Sequence, residues 1–228
     1  MRFNQAELTI ALFITLSAIG IKPSVAADPP STGVPGRRAD AGSRGCGDND
    51  PVIKPLTALV PIQKTATSTT VIGKTAASHP TFWFYLPHRA PFTAKFVLQD
   101  EAGEALYESD VALPTDTNIL SITLPKTVAP LATGKQYQWF FKLYCQSISP
   151  PESFVNGWIQ REALPSDLTQ HLKTANPQQQ IQLYAKGGFW HESLATAAEL
   201  QQQNLGDGAW GDLLRSIGLE TIAKEATP

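Results

Sequence analysis

Leu131-Ala132-Thr133-Gly134-Lys135-Gln136-Tyr137-Gln138-Trp139-Phe140-Phe141-Lys142-Leu143-Tyr144-Cys145 is the stretch on which the fold turns. From Gln136 onward it alternates with period two, the period of a strand. Tyr137, Trp139, Phe141, Leu143 and Cys145 fall on one face, which is expected to lie in a core. Gln136, Gln138, Phe140, Lys142 and Tyr144 fall on the other. The preceding Leu131, Gly134 and Tyr137 have the spacing of a tyrosine corner, in which a Tyr hydroxyl bonds back to nearby backbone. That corner resembles those of immunoglobulin-like and fibronectin-III-like sandwiches. The usual Cys two residues after the Tyr is missing, because Trp139 stands there.

Working outward, short runs rich in Val, Ile, Thr and aromatics recur between turn residues. They are 56–60, 69–72, 81–86, 94–99, 105–108, 119–124, 136–145 and 154–161. Long helical periodicity is absent between 51 and 161, so this part reads as a β-sandwich. Asp100-Glu101-Ala102-Gly103-Glu104 reads as a hairpin connection, with Gly103 free to take positive φ.

After residue 161 the signals become helical. Ser166 is a candidate cap, and Asn176-Pro177 is a cap followed by proline at the first helical position. Trp190, Leu194, Ala197 and Leu200 mark a third helix, and Asp207 is a candidate cap for a fourth that bears Trp210, Leu213 and Leu214. Tyr184–Leu200 resembles a single tetratricopeptide-type turn, and one copy does not make a solenoid. Helices this short are marginal alone. The helical segment is therefore expected to dock on the sandwich, over the face where Phe140 and Tyr144 point. The fold class expected is β-rich α+β: a sandwich followed by a small helical segment.

The amino end reads as a leader. Arg2 precedes an uncharged apolar run from Leu8 to Ile21, and Val25, Ala26 and Ala27 offer small residues for cleavage. The segments are then 1–27 signal peptide, 28–50 Pro/Gly-rich linker, 51–161 sandwich and 162–228 helical segment. This implies an exported chain, periplasmic or extracellular, with no span in the mature part. An uncleaved anchor is the alternative. The two cysteines, Cys46 and Cys145, are expected to form a disulfide in such a compartment.

The chain has 228 residues, 42% hydrophobic and 17% charged, with formal net charge −2. Near-neutrality argues against nucleic acid as the main partner. No motif for catalysis, cofactor or metal holds up. His191-Glu192 begins like a zincin helix, but the second histidine would fall at Ala195. The Asp100–Asp110 acidic group lacks the spacing of a calcium loop. The remaining candidates form a binding surface: Phe140 and Tyr144, with a polar group of His79, His88 and Arg89 flanking the aromatic strand Thr81–Leu86.

Several segments resemble the cyanobacterial family catalogued as domain of unknown function 928. They include Pro55–Pro61, His79–Pro87, Phe96–Asp100, Gly134–Tyr137, Gly157–Arg161 and Leu214–Leu219. The resemblance implies an envelope or secreted protein of a photosynthetic bacterium, and carries no assigned reaction. Two functions are therefore entertained. The first is a non-catalytic module that binds an envelope protein or a glycan. The second is a hydrolase with an unrecognised site.

Overall fold

The structure, a computed structural model, describes residues 36–40, 55–66, 68–86, 93–144, 151, 153–205 and 208–228. The expected leader, most of the expected linker, Cys46, Cys145, His88, Arg89 and Asp207 lie outside the described residues.

Nine strands form two sheets among the described residues. They are β1 (Thr57–Ala58), β2 (Ile62–Lys64), β3 (Thr69–Thr75), β4 (Thr81–Tyr85), β5 (Thr93–Gln99), β6 (Ala105–Val111), β7 (Ile119–Thr123), β8 (Gln136–Tyr144) and β9 (Ser153–Arg161). One sheet has three strands in the order β1-β4-β7, and the other six in the order β2-β3-β9-β8-β5-β6. All pairings are antiparallel except β3 with β9. Each run anticipated from the sequence contains a strand. Only β2, three residues long, lies outside those runs.

The two sheets enclose a core built from alternate positions. Tyr137, Trp139, Phe141 and Leu143 of β8 face Phe82 and Phe84 of β4, Phe96 and Leu98 of β5, and Val155 and Ile159 of β9. Phe84 stacks on Phe141 with centroids 4.6 Å apart. The corner is present: the Ala132 N–H donates to Tyr137 Oη at 2.8 Å. Arg161 reinforces it by donating to the Leu131 carbonyl. Tyr137→Phe removes one partly buried hydrogen bond and keeps the ring. It should lower stability by about 0.5–1.5 kcal/mol. An unchanged denaturant midpoint would show that the bond carries no stability.

Five helices follow: α1 (Ser166–Leu172), α2 (Pro177–Lys186), α3 (Trp190–Gln202), α4 (Ala209–Ser216) and α5 (Glu220–Glu225). Asn176 caps α2 in a reciprocal capping box with Gln179, as the Asn-Pro signal implies. Ser166 is not a cap; it is the first helical residue, and Pro165 occupies the cap position. Proline's fixed φ and extended ψ suit that boundary, and no side-chain cap bond forms there. α5 was not anticipated; its six residues are too few for a periodicity signal.

The helices dock on the sandwich, but not where expected. They cover the outer face of the three-stranded sheet. Trp83, Tyr85 and Ile119, the outward residues of β4 and β7, share a second core with Leu59, Trp190, Leu194, Trp210, Leu213 and Leu214. Trp83 meets Trp210 edge-on at 5.5 Å. The physical reason lies in the composition of the two outer faces. That of the small sheet is apolar and aromatic at Trp83, Tyr85 and Ile119. That of the large sheet mixes rings with Lys95, Glu108 and Lys142, whose charges are expensive to bury.

The amino end of α3 makes the junction. Trp190 Nε1–H donates to the Leu59 carbonyl at 2.8 Å. Glu192 Oε1 accepts from Thr75 Oγ1 at 2.6 Å and from the Ala76 and Ala77 N–H groups at 2.8 and 2.9 Å. Between them His191 inserts beside β3 and β4, strands of opposite sheets.

Residues 36–40, expected within a solvated linker, belong to the fold. Arg37 bridges to Asn156 on β9 and Ala39 to Thr57 on β1, so this segment ties one sheet to the other. Arg38 Nη1 donates to the Ile217 carbonyl at 2.6 Å, joining the same segment to the helices. Low apolar content does not prevent ordering where backbone bridges replace side-chain burial. Among the described residues no helix is long and apolar enough to cross a membrane.

Candidate binding face

The open side of the six-stranded sheet is set by register. Along β8 the outward positions are Gln138, Phe140, Lys142 and Tyr144. On β9 their direct partners are Trp158 for Gln138, Asn156 for Phe140 and Phe154 for Lys142. On β5 they are Val97 for Phe140, Lys95 for Lys142 and Thr93 for Tyr144. Period-two alternation therefore collects four rings, Phe140, Tyr144, Phe154 and Trp158, on one face. All four are only half-buried. The complementary positions of the same strands, Trp139, Phe141 and Val155, are fully buried.

Cations sit among the rings. The Arg37 guanidinium lies 4.4 Å from the Phe154 centroid, and Lys142 Nζ lies 5.4 Å from that of Phe140. Charge is largely balanced locally. Arg37 Nη1 donates to Asp40 Oδ1 at 3.0 Å, and Lys95 Nζ to Glu108 Oε1 at 2.6 Å. The second bond holds Lys95 above its ordinary pKa and Glu108 below, the hydrogen bond being the largest cause for each. Both groups are solvent-exposed, so the pair adds little stability.

Phe140 and Tyr144 thus lie on the outer face of their strand, half-buried, and the described helices cover the other sheet instead. His79 is not with them. It precedes β4 of the three-stranded sheet, with Nδ1 3.0 Å from Ser78 Oγ and Nε2 3.0 Å from the Val128 carbonyl. The acidic hairpin is a turn device. Asp100 Oδ1 accepts from the Ala102 and Glu104 N–H groups at 2.9 and 3.0 Å, while Gly103 takes φ 87°. Among the described residues no group of His, Cys, Asp and Glu is placed to hold a metal ion.

A family model for a domain of unknown function, DUF928, matches residues 39–227. The chain belongs to the DUF928 family. A search of curated proteins gave no match. The DUF928 match begins at residue 39, inside the segment that bridges the sheets, in accord with an ordered fold that starts before residue 51.

Trp158 and Phe154 were not among the residues singled out from the DUF928 sequence. Their signal was available: in 154–161 Phe154, Trp158 and Gln160 alternate against Val155, Gly157 and Ile159. Arg37 carried no such signal, since its place over Phe154 depends on a long-range bridge.

Proposed function

We propose that this chain is an exported, non-catalytic interaction module whose open six-stranded face binds a glycan. The observation that carries the reading is the row of four half-buried rings on that face. Such rings, when not covered by another element, mark interaction sites. Local pairing of Arg37 with Asp40 and Lys95 with Glu108 leaves the face without a strong field, which suits an uncharged ring-bearing polymer. Gln138 and Gln160 add amides able to meet hydroxyl groups. Export rests on the leader pattern, and a Cys46–Cys145 bridge belongs to the same reading. The tyrosine corner supports classing the sandwich as immunoglobulin-like or fibronectin-III-like.

The hydrolase alternative is weaker because the most distinctive polar pair, buried His191 and half-buried Glu192, is engaged in holding the helices. Binding of neutral and acidic polysaccharides to the full mature protein, followed by tryptophan fluorescence, tests the proposal. Loss of one stacked ring is worth about 0.5–1.5 kcal/mol, or roughly two- to tenfold in Kd. Trp158→Ala and Tyr144→Ala should each weaken binding by that factor without lowering Tm. If no polysaccharide binds, or if binding is indifferent to both changes, the glycan reading fails. Capture of an envelope protein that does depend on them would move the assignment to a protein partner.

A further inference from the structure

We propose that docking of the helical segment is released by acid, with His191 as the group that releases it. His191 is 3% exposed and sits at the junction between α3 and both sheets. Its Nδ1 lies 3.0 Å from the Thr81 carbonyl. A carbonyl only accepts, so Nδ1 carries the proton and Nε2 is the bare nitrogen. Nε2 is buried and has no hydrogen-bond partner. It faces the backbone of Gly73, where even a Cβ would stand 2.8 Å away. The Phe82 ring meets the imidazole edge-on at 5.5 Å. A second proton on this ring would thus place an N–H and a positive charge at a buried atom that has no hydrogen-bond partner.

Burial holds the His191 pKa below its ordinary value. The bond to Thr81 and the charge of Glu192 oppose that shift without overcoming it. The charged and titratable groups on the adjoining elements are few. α3 brings Glu199 and Glu192, whose Oε1 accepts from Thr75 and the Ala76 and Ala77 amides while its Oε2 is buried without a partner. α2, packed on α3, brings Lys186 and Tyr184, which burial and the charge of Glu192 hold above its ordinary pKa. β3 brings Lys74, ion-paired with Glu162 at 2.9 Å. β4 brings Tyr85, whose ring lies in the second core.

The sign follows. A histidine whose folded pKa is depressed supports the docked state fully above its free value, about 6.5. That support is lost as pH falls through the free value toward the folded one. Below about pH 6.5 the ratio of undocked to docked chains should therefore rise by up to about tenfold per pH unit. Undocking uncovers Trp83, Tyr85 and Leu59, a second aromatic surface distinct from the open face.

The test is hydrogen exchange of the full chain from pH 7.5 to 5.0, corrected for intrinsic rates, beside the same series for His191→Asn. Asparagine keeps a donor for Thr81 and does not titrate. The wild-type chain should lose protection in α3 and α4 in acid while β8 and β9 keep theirs, and the variant should not. Equal protection at both ends of the range, or an identical acid response in the variant, overturns the proposal. If His191→Asn does not fold, the ring resonances of the wild-type protein decide. A neutral His191 at pH 5.5 in the docked chain supports the proposal; a ring that protonates near pH 6.5 with α3 still protected refutes it.

Discussion

A chain that ends at residue 162 should be soluble only with difficulty, bind a hydrophobic dye strongly and aggregate. Deletion removes the helices that cover Trp83, Tyr85, Ile119 and Leu59, four residues buried to at least 93% in the intact protein. Each is worth about 1.5–3 kcal/mol when buried, and together they form an exposed apolar patch on a three-stranded sheet. The deletion also breaks the bonds from Trp190 to Leu59 and from Glu192 to Thr75. A second pair of variants locates the effect. In the truncated chain, replacing Trp83 and Tyr85 by Thr should reduce dye binding markedly, whereas replacing Phe140 and Tyr144 should change it little. A truncated domain that is monomeric and silent to the dye would mean that the second core contributes little. A reversed response of the two pairs would mean that the helices cover the six-stranded sheet instead.

Gly157→Ala should destabilise the whole sandwich by about 3 kcal/mol or more, at the top of the range for overpacking. Gly157 lies opposite Trp139 in the β8–β9 ladder. A Cβ built there would stand 2.4 Å from Trp139 Cζ2, 2.8 Å from Val71 Cγ1 and 2.8 Å from the Val71 carbonyl oxygen. Trp139 is fully buried and has no room to swing, and the Val71 oxygen is backbone of the neighbouring strand. Relief therefore requires that β9 move away from β3, which breaks the parallel pairing. Thermal unfolding should show Tm lowered by roughly 6–12 °C, on a scale of about 2–4 °C per kcal/mol for a unit of this size. A Tm within about 2 °C of the parent would show that the two sheets yield here without loss of packing.

The four consecutive aromatics of β4 show how much could be read and where reading stopped. Period two requires that Phe82 and Phe84 face one way and Trp83 and Tyr85 the other, so two apolar layers were implied by sequence alone. Which layer the helices would cover was not. Phe140 and Tyr144 offered an equally aromatic face, and the choice rests on what lies beside each face across strands. Lys95 and Glu108 flank Phe140 only because β5 and β6 pair next to β8, a matter of sheet order. His191-Glu192 shows the same boundary. In sequence it is a metal motif that fails; in the fold both side chains serve the junction, through carbonyl and amide groups more than a hundred residues away.

The sequence by itself determined the local matters: the β-run and its inward faces, the Tyr137 corner, the Asn176 cap, the hairpin at Gly103 and the family. Each rests on interactions within a few residues or on the period of one element. Only the tertiary structure decided that Arg37–Asp40 ties the sheets together, that the helices cover β4 and β7, and that Phe140, Tyr144, Phe154 and Trp158 share the outer face of the six-stranded sheet. These depend on strand order and on contacts between distant segments, where backbone donors and acceptors look alike in every sequence and only the assembled fold selects which of them meet.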